Sequence, residues 1–154
     1  MSESLSIVVP EAHYTLFDTS RGDLPAVVVV NDALLTFQHT DIFAWHLEVT
    51  LSAVYLADGG MPTSDESRVL FQIGDEIERS VVGYNALFLA RSTSNGLRQI
   101  AFRVYDPDVA EQALQNMLAQ RQSRPWEFRM DHDPTWERAG IYFQLFSSAS
   151  GHDA

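Results

Sequence analysis

The chain has 154 residues but no cysteine and no lysine. The absence of cysteine excludes disulfides, thiolate nucleophiles and cysteine-ligated metals. All ten basic residues are arginines, and with 21 acidic residues the formal net charge is −11. A charge of this sign repels phosphate backbones and anionic lipids, so nucleic acid and membranes are disfavoured as partners. It favours a basic protein partner, although the plainer interpretation is that it only aids solubility.

The chain also lacks long apolar runs and a recognisable targeting segment. Its first ten residues have no basic start, and their apolar run is too short for a signal peptide. No apolar stretch approaches the roughly 20 residues that a transmembrane helix needs. We therefore expect a cytoplasmic protein. With 45% hydrophobic residues, the chain has enough apolar side chains for the core of one globular domain.

The sequence does contain a succession of strand and helix patterns between residues 45 and 132. Apolar side chains alternate from Trp45, which predicts a strand, and the capping box Thr63–Glu66 predicts a helix start. Asn95-Gly96 predicts a hairpin turn, and Asp106-Pro107 predicts the start of a second helix. The order βαββαβ predicts a ferredoxin-like α+β sandwich with an antiparallel sheet. Its first and third strands are central, with the fourth beside the first and the second beside the third.

Two further patterns flank this unit. Residues 13–18 and the apolar run Ala26–Val30 predict an N-terminal β-hairpin, and Asp133-Pro134 predicts the cap of a C-terminal helix. The run Val27–Val30 is long for a peripheral hairpin, so it predicts a homodimer formed through a sheet edge or face. The alternative is that it packs within its own domain, under the third helix.

The boundaries of the domain follow from these patterns. Residues 1–12 are expected to be a flexible N-terminus, and residues 13–146 a single α+β domain. Residues 147–154 are polar and are expected to form a flexible tail.

Polar side chains project from one face of the predicted sheet. Alternation places six of them there: His46, Glu48, Arg103, Tyr105, Arg129 and Asp131. The candidate catalytic residues are the first four, because His46 beside Glu48 or Asp131 would form an acid–base pair. Arg129 and Asp131 are candidate binding residues. One alternative is a solvated face on which Glu48 pairs with arginines across the strands, and another is a face covered by the N-terminal hairpin.

Patterns for RNA binding and for a metal are present but contradicted by strand geometry. The third core strand partly matches a basic-aromatic RNA signature, but Ile100 and Phe102 share the core face and leave Arg103 on the wrong side. The adjacent residues of Asp131-His132-Asp133 point to opposite faces and cannot converge on one ion. We therefore expect no nucleic acid, no metal and no cofactor.

Two short motifs border the predicted hairpin. The glycine pair Gly59-Gly60 precedes a helix, as in anion-binding loops, but no lysine follows, which favours a sharp turn. Arg98 follows the hairpin turn and is expected to hold the hairpin end through carbonyls or a carboxylate. The alternative is that Arg98 binds a ligand in the cleft beside it.

Several of these motifs together resemble a known family. They are Gly60-Met61-Pro62, Thr93-x-x-Gly96-x-Arg98, Tyr105-Asp106 and Asp133-Pro134-x-Trp136. In order and spacing they are similar to the bacterial domain-of-unknown-function family 695 over roughly residues 13–146. The resemblance implies a ferredoxin-like α+β domain with no assigned activity. We expect structural roles for six of the motif residues: Gly60, Pro62, Gly96, Asp133, Pro134 and Trp136.

Two functions follow from these observations. The first is a non-enzymatic protein-interaction or regulatory module with an acidic surface. By analogy of fold alone, it would resemble the regulator of ribonuclease E activity B, an acidic bacterial protein that inhibits a nuclease by binding it. The second is a small hydrolase or ligand-binding enzyme that uses the polar sheet face or the cleft beside Arg98. A deep pocket with converging carboxylate, histidine and arginine would favour the second function.

Overall fold

A computed structural model describes residues 7–83 and 85–150, with side chains to residue 147. Its strands and helices, in chain order, are β1 (Tyr14–Arg21), β2 (Leu24–Asn31), β3 (Trp45–Ser52), α1 (Ser64–Val81), β4 (Ala86–Ser94), β5 (Leu97–Val104), α2 (Pro107–Leu118), β6 (Trp126–His132) and α3 (Gly140–Ser150). Residues 7–12 carry no regular element. Residues 1–6 and 151–154, which are also predicted to be flexible, lie outside the described residues. The remaining part of the predicted tail, residues 147–150, belongs to α3.

All six strands form one antiparallel sheet in the order β1-β2-β4-β5-β3-β6. The α+β class is therefore confirmed. Four neighbouring strands follow the predicted order, with β3 and β5 central, β6 beside β3 and β4 beside β5. The hairpin β1–β2 extends the sheet beyond β4, so the sheet has more strands than a ferredoxin fold.

The apolar run of β2 does not lie at a sheet edge. This strand pairs with β1 on one side and with β4 on the other. Val28 and Val30 are buried in a cluster that includes Ala139 and Tyr142 of the C-terminal segment. The predicted edge at Val27–Val30 is therefore wrong, and the alternative, packing under the third helix, is correct. The outer strands are β1 and β6.

One face of the sheet is covered by helices, and the other is covered only in part. On one face α1 and α2 pack against alternate residues of the central strands, among them Leu47, Val49 and Phe102. This arrangement follows from the period-2 pattern of the strands and the helical spacing of Leu70, Ile73 and Ile77. On the opposite face, α3 and the chain before β3 cover the half of the sheet nearest β2.

Helix α1 begins as predicted but uses its acidic residue differently. The Thr63 side chain accepts a hydrogen bond from the backbone N–H of Glu66, which confirms the cap. The Glu66 carboxylate does not return to Thr63. It is buried, accepts from the backbone N–H of Val54 at 2.6 Å, and pairs with Arg124 at 2.5 Å. The hydrogen bond from Arg124 is the main reason why the pKa of Glu66 falls to about 2.

The third helix begins later than the sequence predicts. Residues 133–139 form turns in which Trp136 has a φ of 58°, and α3 starts only at Gly140. The Asp133 side chain accepts from the backbone N–H groups of Glu137 and Arg138, each at 3.0 Å. Asp133 therefore caps a turn that leads into α3, and not the first turn of the helix. Among the described residues, no helix is long and apolar enough to cross a membrane.

Candidate functional site

The predicted polar face is divided into a sealed part and an open part. His46 and Arg103 face each other across β3 and β5 and are 2% and 0% exposed. The covering residues come from the segment before β3 and from the turns after β6, where Phe43 and Trp136 are buried. The N-terminal hairpin lies in the plane of the sheet and does not provide this cover.

Arg103 is the centre of the sealed part. Its Nη1 donates to Asp133 Oδ2 at 2.9 Å, and its Nη2 donates to the backbone carbonyl of Asp133 at 2.5 Å. Its Nε and Nη2 donate to the carbonyl of Phe43, and its guanidinium lies 4.6 Å from the centre of a Trp136 ring. We name these residues, together with His46, the Arg103 cluster. A buried arginine is stable in such an environment because each of its three side-chain nitrogens has a hydrogen-bond partner.

His46 is part of this cluster as a neutral side chain. Its Nδ1 lies 3.2 Å from Arg103 Nη1. Burial, and then the positive charge of Arg103, lower the pKa of His46 to about 4. The ring is therefore uncharged near neutral pH and enclosed by packed residues, so it stabilises the arrangement of Arg103 and has no route to a solvent-borne substrate.

Asp133 is the carboxylate of the cluster. Burial raises its pKa, but hydrogen bonds from the Arg138 backbone and the Arg103 side chain outweigh burial, so the net pKa lies below its ordinary value. Trp136 completes the arrangement, because its Nε1 donates to the carbonyl of Thr40 at 2.8 Å. These contacts join β5, the turns after β6 and the segment before β3.

Neither of the two expected acid–base partners of His46 forms a hydrogen bond with it within the described residues. Asp131 lies opposite His46 across β3 and β6, and its negative charge raises the pKa of His46 slightly against the lowering caused by burial and by Arg103. Glu48 lies opposite Ala101 and Arg129, and its side chain forms no hydrogen bond or ion pair in the described part of the chain. Arg129 instead pairs with Asp131 at 3.0 Å, and Arg138 approaches the same carboxylate at 3.5 Å. The expected pairing of Glu48 with arginines across the strands is therefore wrong.

Tyr105 lies just beyond the end of β5 and is 54% exposed. Its backbone N–H donates to the carbonyl of Asn85 at 2.8 Å. The four candidate catalytic residues thus do not converge. Nor do three or more His, Asp or Glu side chains converge as metal ligands within residues 7–83 and 85–147.

The open part of the polar face forms a shallow recess over β3, β5 and β6. It contains about 720 Å³ of empty space, including its wide mouth. Its lining residues are Glu48, Thr50, Gln99, Glu127, Phe128 and Arg129. Beside it, Arg21 donates to Gln99 and Ser92, each at 3.3 Å. Carboxylates, an amide and a guanidinium meet here, but no histidine does.

The loop of paired glycines packs on the β4–β5 hairpin. The backbone N–H of Gly96 donates to the carbonyl of Gly60 at 2.7 Å. A Cβ at Gly60 would lie 3.1 Å from the Asn95 Cα, and Gly60 has a φ of 81°, so glycine suits both the turn and the close approach. Pro62 forms an isolated bridge with Leu56 in the same loop. The loop thus uses its backbone to hold the hairpin.

Arg98 lies on the helix-covered face of the sheet and is 6% exposed. Its Nε donates to Thr93 Oγ1 at 3.1 Å and its Nη2 donates to Ser67 Oγ at 3.3 Å. The prediction that Arg98 bonds to carbonyls or a carboxylate is therefore wrong, because both acceptors are neutral hydroxyls. The third nitrogen, Nη1, is buried and has no hydrogen-bond partner within the described residues.

A second arginine, Arg91, lies near Arg98 in a recess under α1. Arg91 is half-buried, and its guanidinium is 4.7 Å from the centre of the Phe71 ring; that of Arg98 is 5.9 Å from the same ring. The sequence interpretation missed Arg91. The signal was available, because a two-residue turn at Asn95-Gly96 fixes the register that pairs Thr93 with Arg98 and Arg91 with Ile100.

The comparison with protein families gives one result. Residues 13–146 match the model described as a family of unknown function (DUF695). The chain belongs to this family. The resemblance based on the short motifs is thereby confirmed. Searches of curated proteins and of solved structures found no match.

Proposed function

We propose that this protein is a non-enzymatic interaction or regulatory module of the bacterial cytoplasm, with an acidic surface that binds a basic protein partner. The observation that carries the proposal is the sealed Arg103 cluster. His46 and Arg103 are the two candidate catalytic residues that touch, and both are held in buried contacts. General acid–base catalysis requires the group to reach the proton that it transfers, which enclosed side chains cannot do.

The surface of α1 and α2 supports the same proposal. The exposed acidic side chains on these two helices are Asp65, Asp75, Glu76, Asp108 and Glu111. Glu66 is buried and Glu78 is half-buried, so neither contributes a fully exposed charge. Asp65 and Asp75 lie within 3.4 Å of arginines on the next turn of α1, whereas Glu76 forms no ion pair. A field of this sign speeds association with a basic partner.

We propose further that β3-α1-β4-β5-α2-β6 is a ferredoxin-like unit and that β1, β2 and α3 are additions to it. The strand order supports this proposal. By analogy of fold alone, the mode of action would be that of the regulator of ribonuclease E activity B, which acts by binding its target.

The test compares two charge-neutralised triple variants. The first is Glu76→Gln, Asp108→Asn and Glu111→Gln, on the helix surface. The matched control is Glu11→Gln, Asp18→Asn and Asp23→Asn, which removes the same charge near the N-terminal hairpin. All six side chains are exposed, so both variants are expected to fold.

Each variant is used for affinity capture from the native host at low and moderate salt, followed by mass spectrometry. We expect a basic protein to be captured by the unmodified chain and by the control triple, and to be lost with the helix triple. Capture should weaken with salt in all cases. Equal capture by both triples would contradict the acidic helix surface as the binding site.

The open polar recess favours a second candidate, a ligand-binding enzyme. Glu48, Glu127 and Arg129 meet there in a space that admits a small molecule. Turnover of a compound in a substrate screen that is abolished by Glu48→Gln would support this candidate. Turnover unchanged by both Glu48→Gln and Glu127→Gln would contradict it.

A further inference from the structure

The recess under α1 is distinct from the open polar recess and borders the acidic helix surface at Asp75. It contains about 300 Å³ of empty space, including its mouth, between α1 and the strands β4 and β5. Its lining residues are Leu70, Phe71, Gly74, Asp75, Glu78, Phe88, Arg91, Arg98 and Ile100. Gly74 allows α1 to come close to the sheet here, because a Cβ at this position would lie 2.9 Å from Ile100 Cδ1.

Two positive charges line this recess without a carboxylate in contact. Among the described residues, no carboxylate oxygen lies within 4.0 Å of Arg91 or Arg98. Arg98 has only hydroxyl acceptors, and its buried Nη1 has none. Burial, and then the charge of Arg91, lower the pKa of Arg98 to about 10, which shows how poorly its charge is compensated. A buried guanidinium in this state has a free hydrogen-bond donor and a positive charge, and an anion can satisfy both.

Two carboxylates of α1 line the same recess. The Glu78 side chain is half-buried and forms no hydrogen bond or ion pair within the described residues, and Asp75 is exposed one turn before it. Burial, and then the charge of Asp75, raise the pKa of Glu78 above its ordinary value, and the positive charge of Arg91 opposes this rise. The recess therefore offers opposite charges: Glu78 and Arg91 attract each other but form no ion pair within 4.0 Å. A phosphate carries nearly two negative charges and would be repelled by these carboxylates.

We propose that this recess binds a small amphoteric molecule of the α-amino acid class. Arg98 and Arg91 receive its carboxylate, and Glu78 and Asp75 face its ammonium group. Phe71 and Phe88 supply the apolar contacts beside these charged groups. This inference is independent of the protein partner proposed above, because Arg91, Arg98 and Glu78 lie between α1 and the sheet. Asp75 borders both surfaces, and it is left unchanged in the helix triple variant.

The test is a titration followed by NMR of backbone amides. The probes are the individual L-amino acids, with acetate, ethylammonium and inorganic phosphate as fragments of the proposed chemistry. We expect at least one amino acid to cause saturable shifts at Phe71, Gly74 and Arg98, and to bind more tightly than any of the three fragments. The proposal is overturned if no amino acid binds saturably, if phosphate binds most tightly, or if the shifts lie elsewhere.

Variants separate a binding role of Arg98 from a structural one. Arg98→Gln and Arg91→Gln should each weaken amino acid binding by about tenfold or more, because each removes charge-assisted hydrogen bonds. The Arg91 side chain forms no hydrogen bond in the described part of the chain, so its variant serves if Arg98→Gln fails to fold. Glu78→Gln should remove the advantage of the amino acid over acetate while acetate still binds.

The matched control is Arg68→Gln. It removes one exposed arginine from α1, one turn before Phe71. It should leave amino acid binding unchanged. If Arg68→Gln weakens binding as much as Arg91→Gln does, the effect is one of overall charge and the assignment of the recess is wrong.

Discussion

Removing the carboxylate of Asp133 is expected to destabilise the protein far more than the loss of a helix cap. From sequence, Asp133 is a cap, and replacing such a residue with alanine costs about 1 kcal/mol. Among the described residues it is also the only carboxylate bonded to Arg103, whose side chain is completely buried. Asp133→Ala would leave that guanidinium buried and charged, with carbonyls and a neutral histidine as its remaining partners.

The expected magnitude follows from this change of environment. Breaking a buried ion pair by removing one partner costs about 3–5 kcal/mol, because the remaining charge is no longer compensated. The loss of two backbone hydrogen bonds at Glu137 and Arg138 acts in the same direction. For a chain of this length the midpoint of thermal unfolding should fall by about 6–20 °C.

Urea denaturation of three variants checks the reasoning. Asp133→Ala should lower the free energy of unfolding by the amount given above, at an unchanged denaturant slope. Asp133→Asn retains an acceptor for the backbone and should cost less. The double variant Asp133→Leu with Arg103→Met removes both charges and should recover part of the loss, because an apolar pair needs no compensation. A loss of about 1 kcal/mol or less in Asp133→Ala would refute the role of the buried ion pair.

Four further predictions concern pH, assembly and stability. The pKa of Glu66 is about 2 when folded and 4.5 ordinarily, so its stabilisation is present above pH 4.5 and is lost as pH falls toward 2; Glu66→Gln should flatten that part of the stability curve. The pKa of His46 falls from 6.5 to about 4 on folding, so protonation of the unfolded chain lowers stability as pH falls through this window; His46→Gln should remove that slope, and an unchanged slope would contradict the burial of the ring. Sedimentation at micromolar concentration should show a dimer formed through β1 or β6, and a monomer at every concentration would exclude it. Val28→Thr should lower stability without dissociating that dimer, because Val28 is buried within the sheet.

The faces of the strands were predictable from sequence because alternation is a local property. Ile100 and Phe102 were expected to lie in the core with Arg103 on the opposite face, and the structure places them so. The cap at Thr63 and the turn at Asn95-Gly96 were predictable for the same reason, since each depends on a few neighbouring residues. The order of the four neighbouring strands β4-β5-β3-β6 was predictable from the βαββαβ succession of these elements.

What only the tertiary structure decided is which polar residues are covered. Strand parity places Arg103 on a polar face whether that face is solvated or sealed. The face is sealed because two residues distant in sequence pack around Arg103. Phe43 lies 60 residues before it, and Trp136 lies 33 residues after it. Glu66 likewise occupies the position of a capping-box residue. It forms a buried ion pair only because Arg124, 58 residues away in sequence, lies beside it in the fold. Burial and pairing of this kind depend on which distant segments meet, and no local pattern records that.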